Sequence, residues 1–132
     1  LGLFAVFHEP ATIEIDVQNA ADTDEALQKA GVYEALGAVP TREILLAHEL
    51  YHFLEFRDGA GFTAQKHVTL WRLGRFAYKS SVPSLQEIAA MAFAQKATGL
   101  ACSPWLYNVF MLAPHNPQRA LALFESMTGK AE

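Results

Sequence analysis

Residues 45–56 read LLAHELYHFLEF, and this stretch constrains the fold more than any other. Leu45, Leu46, Leu50, Phe53, Leu54 and Phe56 surround His48, Glu49 and His52 with apolar bulk, and the pattern predicts a largely buried helix. Pro40 and Thr41 mark its start, with Thr41 at the N-cap and Glu43 in the first turn. Residues four apart on a helix share one face, about 5–6 Å apart. His48 and His52 can therefore aim ring nitrogens at one ion, within the roughly 2.0–2.1 Å that a zinc–imidazole bond requires. Glu49 stands beside them, placed to take a proton from a water acidified by the metal. The bland alternative is a pair of core histidines hydrogen-bonded inside an apolar helix.

The rest of the chain must bury that helix. Its 132 residues suit one domain with a single core, and we read 1–132 as one unit. Apolar residues make up 52% and charged ones 18%, which excludes disorder. Cys102 is the only cysteine, so no internal disulfide forms. A reducing, cytoplasmic setting is expected, with Cys102 a small apolar core residue. No apolar run reaches the roughly 20 residues of a membrane helix, so neither a membrane partner nor an anchor is expected. Charge is uneven: Glu9, Glu14, Asp16, Asp22, Asp24, Glu25 and Glu34 oppose only Lys29 in the first 40 residues, whereas Arg57, Lys66, Arg72, Arg75 and Lys79 oppose Asp58 further on. The basic segment reads as a solvated hairpin, and direct nucleic-acid binding is not expected in an acidic chain of net charge −4.

Punctuation supplies the remaining elements. LFAVFHEPATIEIDV reads as two short strands about Glu9-Pro10, with Ile13, Ile15 and Val17 alternating against Glu14 and Asp16. The Thr12–Val17 strand is a candidate to align an extended peptide, with a plain core strand the equal alternative. A helix, whole or broken, is expected from Asp22 to Gly37 with an interruption at Gly31. Arg57 to Gly61 reads as a turn, and HVTLWRLGRFAYKS as strand material, a hairpin about Gly74. Ser84 opens a helix ending near Thr98 and Gly99, Ser103-Pro104 opens a fourth, and Asn116-Pro117 a fifth. The expected class is α+β, a small sheet packed beside several helices with the HExxH helix central, as in a minimal zincin-like domain.

A catalytic zinc site needs a third protein ligand. Asp58 lies six residues past His52, but Glu55 stands where a sharp turn would need glycine, so the helix carries Asp58 away. Glu55 lies on the side of His48 and His52 but one turn further along, where it reads as a cap or salt-bridge partner; His67 and His115 have no local pattern to recommend them, and His8 is weaker still. Glu87 lies on a helix with Ala90, Met91 and Ala94 on its face, the small residues permitting close packing against the HExxH helix. Ser84 to Glu87 equally fits a capping box, in which the carboxylate turns back to the N-cap amide. Spacing leaves the two readings level.

AHELYHFLE, then EIAAMAFAQKATGL, then Pro104 resembles the ImmA/IrrE family of zinc metallopeptidases, over most of residues 42–104. The resemblance implies Zn²⁺ held by His48, His52 and Glu87 in a gluzincin-like site, with Glu49 as general base. It also implies an α+β fold and a protein or peptide substrate, such as a DNA-binding transcriptional repressor. Tyr51 departs from the family's glycine, and the connection to Glu87 is long. The expected function is zinc-dependent endopeptidase, with a catalytically impaired interaction module on the same fold as the alternative. Tyr78, Tyr107, His67 and His115 are open candidates for a group that assists at the carbonyl oxygen.

Overall fold

The computed structural model describes residues 4–37, 39–58, 67–73, 76–81 and 83–129, and of residues 67–84 the backbone alone. It is an α+β fold. The described elements are β1 (Ala5–His8), β2 (Thr12–Ile15), α1 (Val17–Lys29), a 3₁₀ turn (Glu34–Leu36), α2 (Thr41–Arg57), β3 (His67–Leu73), β4 (Phe76–Ser81), α3 (Pro83–Thr98), α4 (Trp105–Leu112) and α5 (Pro117–Thr128).

β1 and β2 pair antiparallel through the Glu9-Pro10 turn, with Ala5 opposite Ile15 and Phe7 opposite Ile13. Those four side chains form the inward face, as a period of two requires. Phe7 fastens this hairpin to α2, its ring 5.9 Å from Phe53 and 5.7 Å from Phe56. β3 and β4 form a second antiparallel pair with a register shift between Thr69 and Trp71. The turn at Gly74, the loop through Gly59, Gly61 and Lys66, and Arg75 lie outside the described residues. Of the segment's basic side chains, Arg57 is the one among the described residues, at the end of α2.

The first helix begins earlier than the pattern suggests. Asp16 is its N-cap, its carboxylate accepting from the Asn19 amide at 2.9 Å. Asp22 sits mid-helix and accepts from Gln18. Val17, read as the end of the strand, is the first helical residue and is 66% exposed. α1 ends before Gly31, as expected, where φ is +70°.

At the start of α2 the cap also comes from elsewhere. Pro40 occupies the N-cap position and Thr41 is the first helical residue. The Asp24 carboxylate on α1 accepts from the Thr41 amide at 3.0 Å and from its hydroxyl. This tie sets the axial position of α2 against α1.

α3 packs along α2 more extensively than any other helix does. Ala90 and Ala94, both fully buried, allow the close approach, and Met91 fills the core beside Ile44, Leu45, Tyr107 and Met111. Gly99 ends α3 at φ +72°, a left-handed conformation that suits glycine. α5 starts at Pro117 with Asn116 accepting from the Arg119 amide at 3.0 Å. No described helix is long and apolar enough to cross a membrane.

Candidate metal centre

The buried half of α2 carries His48, which is 1% exposed, and Glu49, which is 3% exposed. His52 follows one turn later and is partly exposed. Helical geometry puts both imidazoles on one side of α2, and that side meets α3. Their Nε2 atoms stand 3.2 Å apart.

Glu87 completes the group. α3 begins at Pro83, so Ser84 is already inside the helix and Glu87 lies a full turn in, out of register for a capping box. Its carboxylate points to α2, with Oε2 3.3 Å from His48 Nε2 and Oε1 3.4 Å from His52 Nε2. Among the described residues these three form the group able to surround one ion.

These separations are too long for charge-assisted hydrogen bonds, which run about 2.7–2.9 Å. They suit a shared ion instead, one ligand atom from each residue lying within 4.8 Å of the others. Four ligands at about 2.0–2.1 Å from a tetrahedral zinc are separated from one another by roughly 3.3 Å. Protonation points the same way, because burial, with the charge of His52 adding to it, holds the His48 imidazole down at about 3. His48 is therefore neutral near pH 7, with a lone pair to offer.

Glu49 projects into the same space. Burial pushes its carboxyl up, and the charge of Glu87 adds to that; His52 and the backbone amide of Phe7 oppose the shift. Its Oε1 lies 3.9 Å from His48 Nε2, buried and without a hydrogen-bond partner. An orphaned buried carboxylate oxygen costs about 1–3 kcal/mol or more unless something polar meets it. A metal with its water is a chemically suitable occupant, so the donor set fits zinc. One feature is less complete: a metal-bound histidine ordinarily donates its second ring N–H to an acceptor, and His48 Nδ1 is buried without one.

The cluster opens on a cavity of about 360 Å³, lined by Ala5, Val6, Phe7, His48, Glu49, His52, Gln86 and Glu87. The strand beside it is thus β1, and β2, read as the peptide-aligning candidate, does not line it. Gln86 and the β1 wall escaped the sequence reading, and only the direction of α3 and the order of the hairpin reveal them. Tyr51 does not line the cavity, and its ring lies 5.8 Å from Phe93 of α3 and 6.0 Å, edge-on, from the ring of His52.

The other candidates are placed elsewhere. Asp58 is the C-cap of α2 and pairs with Arg57 at 2.9 Å. His8 pairs with Glu14 on the hairpin surface. His115 meets Asn19 at 2.6 Å and stacks on Phe4. Glu55 does not join the group. Tyr107 is fully buried in the core, its hydroxyl without a partner. The side chains of His67 and Tyr78 lie outside the described residues. Cys102 is half-buried, its thiol directed at the Leu36 carbonyl.

Compared with protein-family models, curated proteins and solved structures, the chain has no significant match in any of the three.

Proposed function

We propose that this chain is a zinc-dependent metalloendopeptidase of the ImmA/IrrE type, with a zincin-like site, cleaving a regulatory protein such as a DNA-binding repressor in the cytoplasm. The observation that carries the proposal is the Glu87 carboxylate reaching both imidazoles of the HExxH helix from a separate helix. His48, His52 and Glu87 would hold the ion. Zinc bound there supplies Lewis-acid polarisation of the scissile carbonyl and lowers the pKa of water toward about 7.

The protein's own part in the reaction falls to Glu49. Its carboxylate takes a proton from the attacking water as oxygen adds to the carbonyl carbon. It then passes that proton to the amide nitrogen as the C–N bond breaks, and the second proton of the water follows to the same nitrogen, leaving a carboxylate and an ammonium group. A raised carboxyl affinity for protons suits this double duty. The apolar wall of Ala5, Val6 and Phe7 limits water on one side of the cleft. Tyr51 is not among the described residues that line the cleft, and its ring packs on Phe93 and on the edge of His52.

The test is direct. Zinc-loaded protein is incubated with candidate repressors and with denatured casein, and new N-termini are read by mass spectrometry. Wild type is expected to cut, and Glu49→Gln to keep zinc and lose cleavage by at least about 100-fold. A zinc-loaded wild type that cuts none of these proteins would count against the proposal.

A further inference from the structure

Peptide hydrolysis places growing negative charge on the carbonyl oxygen, and a positioned donor stabilises that charge more in the transition state than in the bound substrate. The cavity narrows the search for such a donor. Of the described residues that line it, Ala5, Val6 and Phe7 have apolar side chains, His48, His52 and Glu87 form the ion-binding group, and Glu49 is the base. Among the described residues Gln86 remains. It is half-buried, lies one residue before Glu87, and its side chain makes no hydrogen bond to a described residue. Tyr107 is sealed in the core and His115 is engaged with Asn19.

We propose that Gln86 is a substrate-contacting catalytic residue whose carboxamide N–H donates to the carbonyl oxygen of the peptide bond under attack. The inference rests on the peptidase reading above. A neutral amide suits the place: it donates at every pH, and it does not compete with the imidazoles for a cation. Its backbone is fixed by the same helix turn that fixes Glu87, so donor and ion-binding carboxylate are held in one rigid frame.

The probe is an N-phosphorylated leucyl dipeptide, whose tetrahedral phosphoryl oxygens imitate the oxyanion. Its binding to zinc-loaded wild type, Gln86→Leu and Gln86→Glu is measured by calorimetry, with zinc affinity and circular dichroism on the same samples. Both variants are expected to fold, and Gln86→Leu to bind zinc within about twofold of wild type. Gln86→Leu is expected to weaken the probe roughly 100-fold, and Gln86→Glu, which adds repulsion, further still. Where a cleavable protein is in hand, kcat should fall with KM nearly constant. Unchanged probe binding by Gln86→Leu would overturn the role of Gln86 and leave the peptidase reading standing. Loss of zinc by Gln86→Leu, or a zinc-loaded wild type that ignores the probe, would also overturn it. Failure of wild type to bind zinc would remove the peptidase reading itself.

Discussion

Asp24 on α1 holds the first turn of α2 through the Thr41 amide and hydroxyl, so the helix that carries His48 and His52 is positioned by a carboxylate from another element. Removing a side-chain cap costs about 0.5–2 kcal/mol. Asp24→Ala should therefore lower stability in urea by about 1–2 kcal/mol, and Thr41→Val by a similar amount, because Thr41 is fully buried. The double variant should cost less than the sum of the singles. Strict additivity would show that the two residues act separately.

Close packing of α3 on α2 brings Glu87 to the histidines, and Ala90 and Ala94 at full burial leave no room for more. Ala94→Leu is expected to cost about 1–3 kcal/mol by overpacking and to weaken zinc binding as α3 is pushed outward. Glu87→Gln, on a half-exposed side chain, should leave stability without metal within about 0.5 kcal/mol while weakening zinc binding. Thermal melts paired with zinc titrations check both, and an Ala94→Leu protein with unaltered zinc affinity would contradict the packing argument.

Acid should destabilise the metal-free protein through His48. Burial holds its folded-state value at about 3 against an ordinary 6.5, with the charge of His52 contributing. As pH falls from about 6.5 toward 3, the unfolded chain takes up a proton that the folded one refuses, so stability present above that window is progressively lost. Each unit of displacement corresponds to about 1.4 kcal/mol. Urea denaturation in chelator across this range should show a flatter pH dependence for His48→Leu than for wild type. Parallel curves would mean that the buried imidazole does not resist protonation.

Tyr107→Phe removes a buried hydroxyl that has no partner. It should be neutral or stabilise by up to about 1 kcal/mol, and it should leave zinc and probe binding untouched. A marked loss of probe affinity would bring Tyr107 into the site.

Much of this was legible because its signals are local. Asn116-Pro117 and Gly99 each fix a helix end through the backbone they permit, and Glu9-Pro10 divides β1 from β2. The α2 register follows from spacing alone. The misreadings arise where a local pattern was continued or replaced by something distant. Val17 prolongs the Ile13 and Ile15 alternation, although Asp16 has already turned the chain into α1. Thr41 looks like its own cap, whereas Asp24 supplies the oxygen. Glu87 reads equally well as a capping residue until the packing of α3 shows which way its carboxylate points. Gln86 and β1 carry no pattern of their own, because the cavity they line forms only when three elements meet.

The central claim is that one zinc ion is held by His48, His52 and Glu87. Zinc K-edge absorption on protein loaded with one equivalent tests it most directly. The account predicts a four-coordinate ion at about 2.0–2.1 Å with two imidazole ligands, unchanged in Glu49→Gln and with a light-atom ligand lost or replaced in Glu87→Ala. Zinc that fails to bind stoichiometrically, or a spectrum without imidazole scattering that is the same in Glu87→Ala as in wild type, would contradict it.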